Sequence, residues 1–337
     1  MENSYDVVVV GGGPAGLSGA VALARARRSV LVIDAGAPRN TAAEHVHGYL
    51  GLEGIAPSEL LARGRAEVTR YGGELVDGEV TDVVGPGPSS GTDATGPFTV
   101  RLADGRSVEA RRLLIASGTR DGLPDIPGLA ELWGRDVLHC PYCHGWEARD
   151  KKIGVLATAP TSVDEALLMH QWSDDVTLYT HDTPLPDDAQ RARLQARGVR
   201  VVEGEVAGVV TGEDGRLSGV RLAGDAERVE PCEALVVTPI IVARAEFLDV
   251  LSPEARTEAH DDEPLAWRLI GAGDGASDVP GIWVAGNVAQ VEAQVVTSAA
   301  MGLRAAVAIN ADLVREDTDR AVAAHQSAGE QGHRARP

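Results

Sequence analysis

The stretch that most restricts how this chain can fold lies at its start. Residues 5–10 read YDVVVV, a β-branched run that stops at GGGPAG (11–16), and LSGAVALARAR follows with small and apolar residues at helical spacing. SVLVID (29–34) is a second strand, and it ends in an acid. Strand, glycine turn, helix, strand and acid form the βαβ unit that binds a dinucleotide. Gly11 permits the tight turn, Gly13 lets backbone approach a pyrophosphate, and Gly16 lets the helix pack closely on the strand. Exposed N–H groups at the helix N-terminus then hold phosphates. Asp34 is placed to accept hydrogen bonds from ribose hydroxyls.

The pattern restarts in the second half. KKIGVLAT is a strand, TSVDEALLMHQW a helix and DVTLYTHD a strand, so a second nucleotide site is the natural expectation. The turn, however, reads ATAPTS, with Ala157 and Ala159 where glycines would stand and Pro160 before the helix. A Cβ is costly where φ must be positive or a phosphate must come close, and proline removes an N–H donor. After the strand comes Asp182, with no arginine for a 2′-phosphate. The unit reads as a nucleotide domain that has lost its nucleotide.

Between and beyond these units the chain predicts a helix at 57–71 and short strands around ELVDGEVTDVV, FTVRLADGRSVEA and RRLLIASGT. It also predicts a hairpin-like loop at GPGPSSGTDATGP, a strand at GIWVAGNVA and a small-residue helix, TSAAMGLRAAVAINADLV. From about Arg315 the tail is charged and aperiodic, and is expected to be disordered. A length of 337 residues suggests two domains. Thirty-one Lys+Arg against 50 Asp+Glu give a net charge of −19, which repels nucleic acid and anionic lipid. No apolar run is long enough to span a bilayer and MENSYD lacks a basic leader region, so a cytoplasmic location with no membrane partner is expected.

The chemistry concentrates in HCPYCHGWE (139–147), which holds two of the three cysteines, Cys140 and Cys143. That spacing suits a redox disulfide, half of a zinc site or a C-x-x-C-H haem attachment. Cys232 sits by an apolar strand and reads as a small core side chain. His144 is well placed to take and return thiol protons, because imidazole titrates near neutral pH while an ordinary thiol is mostly protonated there. His139 reads as structural, and Tyr142 and Trp146 as packing around the pair.

GGGPAG, LLIASGT (113–119), C-x-x-C (140–143) and GIWVAGNV (281–288) occur in the order and spacing of the low-molecular-weight thioredoxin reductases, which the chain resembles up to about residue 314. The resemblance implies an α/β fold of two Rossmann-like (three-layer ββα) domains. The FAD domain is discontinuous, residues 1–116 and 243–314; the inserted domain, 117–242, is a degenerate nucleotide domain carrying the cysteine pair; 315–337 is a disordered tail. FAD contacts are then implied at Gly11, Gly13, Pro14, Ala15, Gly16, Asp34, Ala35, Arg39, Asn40 and His47. Further contacts are implied at Ala116, Ser117, Gly118, Gly286, Asn287, Gln294 and Val295, the last offering its N–H to the isoalloxazine oxygen. His45 also falls where these enzymes run close to the flavin.

Three departures stand out. The second glycine fingerprint is gone; His144 stands where the reductases have aspartate; Asn287 replaces an aspartate that touches the ribityl chain. With CPYCHGWE they make the chain similar to the dithiol oxidases of bacterial and fungal natural-product pathways, which close disulfides in compounds such as holomycin and gliotoxin. A flavin fold around the motif and the lack of further ligands disfavour haem and zinc. What the resemblance implies is an FAD enzyme, a homodimer without metal, that oxidises a small-molecule dithiol and passes electrons to O2, giving H2O2. Cys140 would be the sulfur attacked and Cys143 the one facing the flavin, with His144 handling protons. An NAD(P)H-fed disulfide reductase and a non-catalytic redox sensor are the alternatives.

Overall fold

The structure, a computed structural model, describes residues 2–334 apart from 86–95, 225–227, 249–255, 261–262 and 270. For 256–260, 263–269 and 329–334 it describes the backbone course alone. The expected loop at GPGPSSGTDATGP falls almost wholly outside the described residues.

The valine run becomes the strand Ser4–Val10, in which Val7, Val8 and Val9 are fully buried. It is flanked in parallel by Val30–Asp34 and Ser107–Ile115, as expected of a strand covered on both faces. The full sheet runs 74–77, 30–34, 4–10, 107–115, 98–102, 80–84, with Ile282–Val284 also paired to 107–115. Helices α1 (Pro14–Arg25) and α2 (Pro57–Arg70) follow the first and second strands. Strand 282–284 comes from late in the chain, so the first and last thirds build one sheet.

The middle of the chain builds another. Its strand order is 200–202, 176–179, 153–156, 234–237, 137–138, all parallel. The one-turn α3 (Pro141–His144), α4 (Ser162–Met169) and α5 (Asp188–Ala196) belong to this part, with a three-stranded antiparallel sheet, 206–211, 217–222 and 229–231. The two chain crossings between these parts, Thr119–Gly122 and Ile240–Ala243, run antiparallel side by side. Cys232 is buried here, donates to the Ala234 carbonyl at 3.2 Å, and burial pushes its thiol up to about 12. It is the core side chain the sequence suggests.

The last helix, α6 (Val295–Arg334), crosses α1 at backbone contact. A Cβ at Gly302 would stand 1.9 Å from the Ala15 carbonyl oxygen, and one at Gly19 would meet Leu114 Cδ2 at 2.5 Å. Leu17, Leu23, Ala305, Ala306 and Ile309 fill the layer around that crossing.

The expectation of a disordered tail from Arg315 is corrected, because α6 continues to Arg334. The first charges of that stretch are paired. Asp317 meets Arg28 at 2.7 Å and Arg111 at 2.5 Å, and Glu316 meets Arg112 at 2.7 Å. Each links α6 to a residue nearly 200 or more positions away, so single-sequence periodicity carries no sign of it; an alanine-rich sequence then sustains the helix.

Gly302→Ala is expected to lower stability by about 2–3 kcal/mol, since the crossing must open to admit a methyl group. Urea unfolding of the purified protein measures it; a change below about 0.5 kcal/mol would show that the crossing tolerates side chains.

Candidate active site

Where strand 137–138 stops, Cys140 occupies the N-cap of α3, and its carbonyl accepts the N–H groups of Cys143 (3.1 Å) and His144 (3.2 Å). Pro141, at the first helical position, has no N–H to leave unsatisfied. This single turn brings the two Cα atoms to 5.2 Å, and Cys140 and Cys143 are joined as a disulfide. Tyr142 and Trp146 were expected to pack around the pair. Instead they are 67% and 65% exposed, Tyr142 set edge-on to Trp172 and Trp146 beneath the Arg149 guanidinium.

The disulfide opens onto a cavity of about 1290 Å³ that reaches back to the first glycine turn. Gly11, Gly13, Pro14 and Ala15 line it, with Asp34, Ala35, Arg39 and Asn40. Ala116, Ser117, Gly118, Gly286 and Asn287 line it too, as do Gln294 and Val295 at the start of α6, His45 and His47, together with Cys140, Cys143 and His144. Gly16 does not reach the cavity. A Cβ there would lie 1.9 Å from the Gly11 carbonyl oxygen, so its part is the close packing of α1 under the turn.

These residues fit an FAD. Gly11 has φ +109°, and a side chain on it would collide with the Ala116 carbonyl at 2.3 Å. No atom lies within 4 Å of the place a Gly13 Cβ would take, leaving room for a pyrophosphate. No side chain caps α1, so its first N–H groups remain for phosphate oxygens. The Asp34 carboxylate is steadied by Arg65 (3.1 Å) and the Gly36 N–H (3.2 Å) at the rim. Two other expected contacts carry additional duties. Arg39 grips Asp121 through Nε and Nη2, tying the cavity wall to the chain crossing. The Asn287 amide donates to the carbonyls of Gln290 (3.2 Å), Val291 (2.9 Å) and Ala293 (2.9 Å). An aspartate would face those three carbonyls with no hydrogen to offer, which accounts for the amide; its oxygen is left for a cofactor hydroxyl.

Two histidines flank the disulfide. Burial pushes His139 down to about 4, with Arg39 adding to the effect, and its Nδ1 has no hydrogen-bond partner. His144 is lowered too, chiefly by burial; Glu147 opposes and His47 reinforces the shift. His47 Nδ1 lies 2.6 Å from Glu53 and Nε2 lies 3.6 Å from Glu147, so it bridges the 45–55 loop to the segment just after the cysteines.

The match to known proteins follows the geometry. Residues 5–302 fit the family described as pyridine nucleotide-disulphide oxidoreductase. The chain belongs to that family. It is 32% identical over 303 residues to "Thioredoxin reductase tcpT" of Claviceps purpurea, covering 86% of this chain and 92% of the relative. Among solved structures, that titled "Crystal structure of HlmI" is 46% identical with TM-score 0.88, covering 97% of this chain and 98% of that one. An oxidoreductase from Agrobacterium tumefaciens is 35% identical with TM-score 0.83, covering 92% and 99%. The protein is thus an oxidoreductase with the two-Rossmann thioredoxin reductase-like fold, a family whose members are typically flavoproteins.

The second turn of the family fold is closed from within. Thr158 and Ala159 direct their N–H groups at Ser162 Oγ, at 3.2 and 3.3 Å, and Ser162 is 1% exposed. Donors that would face a pyrophosphate are therefore already satisfied. Sequence reasoning stopped at the two alanines and the proline; a serine three residues after Ala159, the first residue of α4, was the available signal. It also missed Glu165 of α4, which lines the cavity and whose hydroxyl partner is Thr238, 2.9 Å away. Nothing in a helical acid on an amphipathic segment announces burial.

Because the folded protein holds His139 well below its unfolded value, its contribution is fully present above about pH 6.5 and is lost as pH falls toward about 4. His139→Gln is expected to flatten that part of the stability profile, seen as melting temperature against pH. An unchanged slope between those values would assign the acid limb elsewhere.

Proposed function

We propose that this protein is an FAD-dependent dithiol oxidase, closing an intramolecular disulfide in a small-molecule dithiol through Cys140 and Cys143. The balance is R(SH)2 + O2 → RS2 + H2O2. The observation that carries the reading is a pairing: the disulfide and the first glycine turn share one cavity, while the second turn spends its donors on Ser162. Electrons thus have a route in from thiols, while the Thr158 and Ala159 N–H groups of the second turn are not free for a nicotinamide dinucleotide's pyrophosphate. The division into a discontinuous FAD domain, 1–116 and 243–314, and an inserted domain, 117–242, belongs to the same proposal.

A substrate thiolate attacks Cys140, and Cys143 leaves as thiolate; the second substrate thiolate then displaces Cys140 and closes the ring. His144, neutral at pH 7 because burial lowers it, accepts the thiol proton. Bound FAD supplies the step that carries an electron pair from a dithiol to dioxygen. Its pyrophosphate would lie at Gly11, Gly13, Pro14 and Ala15, its ribose at Asp34, and its ring near the N-terminus of α6 at Gln294 and Val295. The exposed Tyr142 offers a flat apolar face to a small substrate at the mouth. An apolar stripe on α6, Val296, Leu303, Val307 and Val314, all exposed, supports homodimer formation. No helix among the described residues is long and apolar enough to cross a membrane, and a cytoplasmic site of action is part of the proposal.

Oxygen consumption with a panel of small dithiols tests the reading. Cys140→Ser should abolish it, and His144→Gln should slow it about 100-fold or more. Activity of the wild type should fall as pH drops through the lowered His144 value, below 6.5. Rapid bleaching of the flavin by NADPH under argon, with no peroxide from dithiols, would replace this reading by a reductase.

A further inference from the structure

Glu165 is a half-buried titratable group that the proposed chemistry does not use. It points from α4 into the cavity, and Thr238 is its hydrogen-bond partner among the described residues, at Oε2. The other carboxyl oxygen is therefore left to the cavity.

The sheet of the inserted segment sets its distance from the redox pair. Leu138 pairs with Val236 in parallel register. The His139 ring lies close enough to the Val237 backbone to feel it, which keeps the two chain segments near one another past that pair. Carried two residues past the printed pairs, the same register sets Cys140 opposite Thr238, at about 5 Å if ordinary strand spacing holds. Thr158 Oγ1 donates to the Thr238 carbonyl at 2.9 Å and fixes that residue. Val163 and Ala166, on either side of Glu165, pack in one cluster with Leu138 and Val236. Cys140, the Thr238 hydroxyl and the Glu165 carboxyl therefore follow one another across the C-terminal end of the sheet, where open α/β sheets place their ligands.

We propose that Glu165 is a proton-carrying residue for Cys140, coupled to it by the Thr238 hydroxyl. The inference rests on Cys140 being the sulfur that meets substrate. When the second substrate thiolate forms the product S–S bond, the bond between Cys140 and the substrate breaks and its electron pair stays on Cys140 Sγ. The Glu165 proton passes to the Thr238 oxygen as the hydroxyl passes its own to Sγ, leaving Glu165 as carboxylate and Cys140 as thiol. When the pair is reoxidised the proton returns by the same path. A hydroxyl can donate and accept at once, as the relay needs. Burial supports it by pushing the carboxyl up to about 7, against the lowering effect of Thr238, and no charged side chain contributes to that shift. The charged and titratable groups around the disulfide itself are His139, His144, His47, Glu147, Arg39 and Asp121.

The test measures Cys140 directly. In reduced holoprotein carrying Cys143→Ser, iodoacetamide alkylation is followed against pH; Cys232 is buried and does not compete. The parent should show a step near pH 7 as well as the thiol's own titration. Adding E165Q should remove that step and raise the rate above it about fivefold, since a carboxylate near the sulfur disfavours thiolate. E165D should restore the step. In parallel, the melting temperature of E165Q relative to wild type should climb as pH rises from about 4.5 to about 7, where wild type bears the growing cost of a buried carboxylate. A parent profile without the step, an E165Q profile that superimposes on the parent, or equal loss in E165Q and E165D would overturn the proposal. No oxygen turnover enters the measurement, so its failure and that of the oxidase reading are separable.

Discussion

Everything at the site hangs on the backbone contact between α1 and α6. Ala15 meets Gly302 without a side chain between them, and a Cβ at Gly286 would lie 2.9 Å from Ala15 Cβ. That contact brings the uncapped start of α1 and the start of α6 to the same cavity, so two positive helix ends face one space. It also explains why late strand 282–284 can join a sheet begun by residues 4–10. A larger residue at any of the three positions would separate the helices and pull apart the walls against which the disulfide closes.

Much of this was legible in the sequence, because the features involved are local. The β-branched runs, the glycines and the acid at 34 lie within thirty residues, and their periodicity specifies strand, turn and helix without reference to the rest of the chain. The C-x-x-C pair is a single helical turn and needs nothing else to bring its sulfurs together. What stayed hidden depends on partners far away in sequence. Asp317 looks like one more charge until Arg28 and Arg111 lie against it. Asn287 looks like a weak substitute for aspartate until three carbonyls gather around its amide. Glu165 has the sequence context of a surface acid, and Thr238 alone reveals otherwise.

The two glycine-type turns show how little it takes to close a phosphate site. In the first, no side chain among the described residues caps the N–H groups. In the second, Ser162 reaches back over the turn and takes two donors, while Ala157 and Ala159 narrow the space and Pro160 offers no hydrogen. Restoring glycines alone would leave the serine in place. The competition is thermodynamic: a ligand phosphate must displace an internal hydrogen-bonded oxygen that is already buried and well placed.

The far end of α6 has a mechanical consequence. Every described side chain from Ala321 to Ala328 is exposed, yet the helix persists to Arg334 because its nucleation cost is met where it packs on α1. Those last 14 residues span about 20 Å at ordinary helical rise. A fluorophore or affinity handle joined at Arg334 would ride on a stiff spacer, held off from the globule, and could be added with little risk to the fold.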